Sequence, residues 1–475
     1  MDKEKKSAAE KLREELMIPK KKGALTLEDK TFQAADDFCE NYKKFLNKAK
    51  TEREAVDYAV KLPKKAGFAA FDPAKTYQPG DRVYYNNRGR AAVFAVIGKK
   101  GASEGLRIAA AHIDSPRLDL KPRPLYEAND LALFKTHYYG GIKKYQWTAI
   151  PLALHGRVVR RDGSFVDISL GEKEDEPRFC VTDLLPHLAR EQMGKSLAKG
   201  IEGEDLNILV GSRPFKDDKG SELVKLNIMR LINEKYGIVE ADFLSAELEL
   251  VPAFKACDIG FDRSMIGSYG HDDRVCAYPA LMAAFGCETP EHTVLTVLAD
   301  KEEVGSDGNT GLNSSFLKYF VADLAEKEGL RGRDVLSRSS CLSADVNAAF
   351  DPTYAGAYEA GNSCFLNGGV VITKYTGHGG KSDTSDASAE FMAEVRAVLD
   401  GAKVLWQTGE LGKVDGGGGG TVAKYIANLN VEVVDLGVPV LSMHAPFEVV
   451  SKVDVYMAYR AFSAFFGKTQ GKGAK

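Results

Sequence analysis

Residues 293–308 read TVLTVLADKEEVGSDG: an unbroken apolar and β-branched run, then Asp300, Lys301, Glu302 and Glu303, then glycine. A short continuous apolar run bounded by turn residues predicts a strand buried on both faces, as in the parallel sheets of α/β proteins. Polar residues placed directly after such a strand lie where open α/β sheets collect their ligands, beyond the carboxyl ends of the strands. The same pattern recurs in AAAHIDS (His112, Asp114), CLSADVN (Asp345) and VPVLSMHAP (His444). A fifth segment, GSYGHDDRVCAY, sets His271, Asp272 and Asp273 after a glycine and just before a helical stretch. With DDRVCAYPALMAAFG and DASAEFMAEVRAVLDG as helices between these strands, the pattern predicts an α/β fold with a mixed central sheet flanked by helices.

At 475 residues the chain exceeds what one hydrophobic core usually organises. From about 120 to 258 the texture becomes strand-rich, which predicts an inserted, mainly β unit over 119–258 within a discontinuous catalytic unit, 1–118 plus 259–475. In LALHGRVVRRDGSFVDISL, Asp162 and Gly163 are expected to supply the positive-φ residues of a hairpin turn. VTDLLPHLAREQMGKSLAKG and SELVKLNIMRLINEKYG show helical spacing inside the insertion. The first 62 residues read as charged amphipathic helix, with Phe32, Ala35, Phe38, Cys39 and Tyr42 on one face.

Apolar residues at 44% and charged residues at 28% describe a soluble globular protein, and a formal charge of −3 offers nucleic acid no global attraction. No stretch reaches membrane-spanning length, and the charged N-terminus lacks a secretory apolar core, so a cytoplasmic location is expected. Seven scattered cysteines without a C-x-x-C pair argue against a disulfide framework or a thiolate zinc site. GGKS (379–382) and MGKS (193–196) lack the glycine that opens a phosphate loop. The glycine run 416–420 is read either as a flexible loop or, preferably, as backbone brought close to substrate.

The mixture of imidazole and carboxylate at the strand ends suits a catalytic zinc, cobalt or manganese site better than an all-oxygen calcium site. Two ions can share one carboxylate and take two further protein ligands each. Taken singly, Asp272 and Asp273 are equally well explained as helix-start acids. His271 fits a helix-start residue, and His137, His155 and His292, beside which no strand-end pattern sets an acid, are read as surface or packing residues. Convergence across several strand ends favours the metal site.

HIDSPR, GHDDRVCAY, DKEEVGSDG, SADVNAAFDP and VLSMHAPFE, in this order over residues 112–448, resemble the aspartyl aminopeptidase family of zinc metallopeptidases. The resemblance implies a zinc-peptidase-like catalytic domain interrupted by a β insertion that mediates assembly, and a tetrahedral dodecamer. It implies two zinc ions per subunit, with manganese or cobalt as substitutes: His112, Asp272 and Asp345 on one, and Asp272, Glu303 and His444 on the other. Glu302 would be the general base and Asp114 the partner orienting His112. Successive side chains on an extended backbone would separate the tasks of Glu302 and Glu303. Lys374 matches the family's pocket lysine, which favours acidic first residues. His187 matches a histidine that reaches a neighbouring subunit's active site.

Asn347 and Ala348 stand where eukaryotic members place a substrate-contacting histidine, and Lys381 stands near their tyrosine, so the segment resembles the bacterial branch. The function expected is removal of the N-terminal residue from peptides. The alternatives are a deacylase using the same ligands, and a non-catalytic assembly particle with a structural metal.

Overall fold

The computed structural model describes residues 6–18, 23–62, 66–217 and 219–467. Residues 1–5, 19–22, 63–65 and 468–475 of the expected catalytic unit, and residue 218 of the expected insertion, lie outside the described residues. The strand read from residues 293–308 is Val294–Ala299, buried at every position. It runs parallel to Arg107–His112, with Ala299 opposite His112 in register. Ser340–Ser343 lies parallel on the far side of Arg107–His112, and Glu432–Gly437 parallel beyond that. These four strands form the centre of a nine-stranded mixed sheet whose outer members include antiparallel neighbours.

Alternation along the central strands explains why both sheet faces are covered. Ala109 and Ala111 enter one apolar cluster, while Ile108 and Ala110 enter the other. Helices Asp29–Lys48, His271–Phe285, Ala389–Gly401 and Lys452–Phe465 pack on the first face, and Phe316–Glu326 covers the second. The α/β, zinc-peptidase-like architecture expected from the sequence is therefore the one found. The N-terminal reading resolves into Ala8–Leu16, Asp29–Lys48 and Glu52–Lys61. The buried stripe of Asp29–Lys48 is Ala35, Cys39, Tyr42, Phe45 and Leu46, whereas Phe32 stays exposed.

A second sheet is antiparallel, has seven strands and is drawn from Arg117–Ala128 through Ala246–Pro252. Its own apolar cluster includes Leu118, Phe134, Trp147, Leu154 and Leu250. Between strands Leu152–Val159 and Phe165–Leu170 only Gly163 has positive φ, not Asp162. The Asp162 carboxylate instead accepts from the Ser164 amide and hydroxyl, stabilising the loop without a left-handed backbone. The segment 181–200 is not one helix: a loop through His187 is followed by Arg190–Gly194 and Leu197–Gly200. Helix Leu223–Tyr236 forms as its spacing predicts. A third sheet of five strands contains Met265–Ser268, Glu448–Ser451 and Pro439–Leu441.

The antiparallel sheet is tied to helix Glu52–Lys61 by buried ion pairs, and His155 is the packing residue expected, with two acidic partners supplied by the fold. Its Nδ1 lies 2.8 Å from Glu54 and its Nε2 3.1 Å from Glu172. Burial alone would lower its pKa, but the hydrogen bonds to Glu172 and Glu54 raise it to about 9. A raised histidine pKa stabilises the fold fully below the unfolded value, about 6.5, and loses that contribution as pH rises through 9. Neighbouring Lys50, whose pKa burial lowers to about 8, changes stability in the opposite sense as pH rises. The difference between wild type and His155→Gln isolates the histidine. Denaturant unfolding should show a gap of about 3 kcal/mol at pH 6 that closes above pH 9, and a pH-independent gap would refute the assignment.

Candidate metal centre

Sheet register brings the strand-end residues to one place. His112 ends its strand beside Ala299, and Asp345 lies two residues past Ser343, which pairs with Ala110, so Asp345 falls level with His112. Glu302 and Glu303 follow Ala299 on a 3-10 turn, Glu302–Val304, entered through Lys301 at φ +67°. The backbone is thus turned rather than extended as expected from the sequence. Its cause is Asp114, whose carboxylate accepts both the Glu302 and the Glu303 amides at 3.2 Å. With about three residues per turn the two side chains still diverge.

Asp272 and Asp273 open helix His271–Phe285 but have non-helical backbone angles, and neither side chain caps it. Asp272 Oδ1 lies 3.1 Å from His112 Nε2, and Oδ2 lies 3.2 Å from His444 Nε2. Glu303 Oε2 is 3.7 Å from His444 Nε2, and Asp345 Oδ1 is 3.8 Å from His112 Nε2. Glu302 Oε2 is 3.9 Å from His112 Nε2. The Glu448 carboxylate accepts the amides of Asp272 and His444 at 3.1 and 2.8 Å, fixing the two segments together.

The tautomers follow from the acceptors. His112 Nδ1 lies 3.1 Å from the Asp114 carbonyl and 3.4 Å from its carboxylate. His444 Nδ1 lies 2.7 Å from the Gly141 carbonyl. A carbonyl only accepts, so both Nδ1 atoms carry hydrogen, and each Nε2, which faces an Asp272 oxygen, is the nitrogen that would ligate a metal once its own proton is released. Burial raises the pKa values of Glu303 and Asp345 well above the carboxylate range, and neighbouring acids add to the effect. Burial likewise pushes Glu302 up to about 7. Asp272 goes the other way, because the two histidines overcome its burial. Glu303 Oε1 and both Asp273 carboxylate oxygens are buried without hydrogen-bond partners. Crowded, desolvated carboxylates with unmatched oxygens opposite two imidazole nitrogens fit zinc.

Among the described residues, two groupings have metal-ligating geometry: His112 with Asp272 and Glu303, and His112 with Asp273 and Asp345. Asp273 therefore belongs to the cluster; adjacency to Asp272 was its only sequence signal. His271 is a packing residue, bonded to the Tyr42 hydroxyl at 2.8 Å and the Ile266 carbonyl at 3.2 Å. Lys374 does not join the cluster: it pairs with Asp386, as does Lys381 at 2.9 Å. His187 is exposed in the loop of the antiparallel sheet. In the glycine run, a Cβ on Gly418 would come within 1.9 Å of the Gly377 carbonyl oxygen, so the close approach seen there is to the chain's own backbone.

A parallel-centred sheet with a buried histidine and carboxylate cluster at its strand ends defines an α/β metallohydrolase. Residues 45–466 match the family described as Aminopeptidase I zinc metalloprotease (M18), and the chain belongs to that family of zinc aminopeptidases, hydrolases acting on peptides. It is 49% identical over 446 residues to a probable M18 family aminopeptidase 1 of Clostridium acetobutylicum, covering 92% of this chain and 96% of that one. The crystal structure of an M18 aminopeptidase from Thermotoga maritima superposes with TM-score 0.89 at 42% identity, covering 94% and 99% of the two chains. The mApe1 dodecamer of S. cerevisiae shares the fold, with TM-score 0.73 at 20% identity and coverage of 92% and 96%.

Proposed function

We propose that the protein is an aminopeptidase that removes the first residue of peptides and would hold two zinc ions, with Asp272 belonging to both ligand sets. His112 and Asp345 complete one ligand set, and Glu303 and His444 the other. The observation that carries this reading is the division of Asp272, one oxygen toward each histidine, at 3.1 and 3.2 Å. Bound zinc supplies Lewis acidity toward the scissile carbonyl and makes water a nucleophile near neutral pH. Glu302 takes the proton of the attacking water and returns it to the leaving amine. Asp114 holds His112 in its Nδ1–H tautomer and, through the two amides, fixes the turn that aims Glu302.

Lys374, shared with Asp386, gives the side-chain pocket a basic group and a preference for acidic over basic first residues. Residues 119–258 serve as the inserted assembly unit. Around His187 they expose Leu184, Leu185, Leu188, Met193 and Leu197, an apolar surface of the kind subunits cover. The assembly is a homo-oligomer, a tetrahedral dodecamer, in which His187 contributes to a neighbouring active site. The seven free cysteines accord with the reducing cytoplasm.

Titration of chelated protein with zinc should saturate at two equivalents per chain. Aminoacyl reporters with free amines should then be cleaved, and their N-acetylated counterparts spared. One equivalent, or equal cleavage of both reporter types, would contradict the reading; parallel reconstitution with manganese and cobalt ranks the metals. Replacing His187 with Ala should lower turnover about tenfold with zinc content unchanged. Unchanged turnover removes it from the site.

A further inference from the structure

The antiparallel sheet does more than offer a surface for assembly. Its strand Leu131–Tyr139 ends at the centre just described, and three consecutive residues there touch three different parts of it. The Tyr139 hydroxyl donates to Asp114 Oδ2 at 2.8 Å, the same carboxylate that faces His112 and accepts the Glu302 and Glu303 amides. Gly140, at φ +76°, lies against Glu303: an added Cβ would stand 3.0 Å from Glu303 Oε2 and 3.3 Å from both Glu303 Cβ and Pro116 Cγ. The Gly141 carbonyl accepts from His444 Nδ1 at 2.7 Å.

We infer that Tyr139-Gly140-Gly141 is a positioning strap that the antiparallel sheet lays across the metal centre, setting the Nδ1 side of both histidines and the carboxylate of Glu303. The inference rests on the metal-ligand reading above. The strap is itself braced. Arg117, paired with Tyr139 in the sheet register, sets its guanidinium 4.0 Å from the Tyr139 ring centroid. Asp119 at 2.8 Å, Glu52 at 3.1 Å and Glu249 at 3.4 Å hold that guanidinium from three other places in the chain. A stacked, ion-paired arginine under the ring limits the tyrosine's movement, so its hydroxyl acts from a fixed point. Outer partners of this kind orient ligands, and losing one weakens metal binding or activity roughly 10- to 100-fold.

The test uses the full-length, zinc-loaded protein, with zinc affinity measured by competition against a chromophoric chelator. Tyr139→Phe removes only the hydroxyl and should weaken zinc binding about tenfold and lower kcat with KM little changed. Gly140→Ala adds a crowding Cβ in a left-handed backbone and should weaken zinc binding further, about 100-fold. Tyr138→Phe, on the neighbouring half-exposed side chain, should match wild type. Loss of the buried hydroxyl should lower the melting temperature of the chelated Tyr139→Phe protein modestly, so zinc competition is compared at a temperature where both proteins are folded. Wild-type-like zinc competition by Tyr139→Phe would overturn the strap while leaving the ligand set intact, as would a lowered apo melting temperature with unchanged zinc competition. Failure of the wild type itself to bind zinc would overturn the ligand reading and the strap with it.

Discussion

Glu302→Gln should lower turnover by about 10²- to 10⁴-fold while zinc content stays at the wild-type level. Glutamine preserves the size of the side chain and the backbone amide held by Asp114 at 3.2 Å, so the turn is kept. What it loses is the capacity to accept a proton. Glu302 suits that role because burial, with nearby Asp114 and Asp272 adding to it, raises its affinity for a proton. Metal analysis together with steady-state kinetics checks this. A variant with full zinc and near-wild-type turnover would mean that another group moves the proton.

Asp272→Asn should cost more than the loss of any outer partner, which is roughly 10- to 100-fold, because it disables a group shared by both halves of the centre. An amide has one acceptor oxygen where the carboxylate has two, so one of the two histidine-facing positions becomes an N–H donor that cannot ligate. Zinc content should fall from two equivalents toward one, and turnover should drop beyond 100-fold. Circular dichroism separates this from unfolding, since Glu448 still holds the Asp272 amide at 3.1 Å. Retention of two zinc ions by a folded variant would exclude Asp272 as the shared ligand.

These effects concentrate in a few residues because the centre is dry. His112, Asp114, Asp272 and Asp345 are all buried, so each lone pair left unmatched carries its full desolvation penalty. The same dryness makes the contribution of the antiparallel sheet consequential: a hydroxyl supplied by Tyr139 acts on Asp114 without competition from solvent.

Much of this was legible in the chain before folding. Apolar runs of strand length, each closed by a histidine or an acid, sufficed to place His112, Glu302, Glu303 and Asp345 at the ends of parallel strands. That follows because a strand buried on both faces must be apolar throughout, and its first polar residue marks where it leaves the core. Asp272 and Asp273 were ambiguous, since an acid at a helix start has a local explanation that needs no partner. Tertiary packing resolved the ambiguity by leaving the helix uncapped and turning Asp272 toward both histidines.

Other features had no local signal at all. His155 meets Glu54 only because the antiparallel sheet packs on helix Glu52–Lys61, while Glu172 comes from just beyond the neighbouring strand Phe165–Leu170. The turn of Glu302 and Glu303 is held by Asp114, from the loop after strand Arg107–His112, which accepts their amides. Tyr139, Gly140 and Gly141 belong to no motif in the sequence and reach the centre through contacts with Asp114, Glu303 and His444. The sequence by itself determined the central strands and pointed to most of the polar residues at their ends, because burial on two faces writes a continuous, local apolar run that stops where the strand leaves the core. Which oxygen faces which nitrogen, and what braces them, was decided only by the packing of one sheet against another, since distances of 3 to 4 Å between residues far apart in the chain leave no periodic trace.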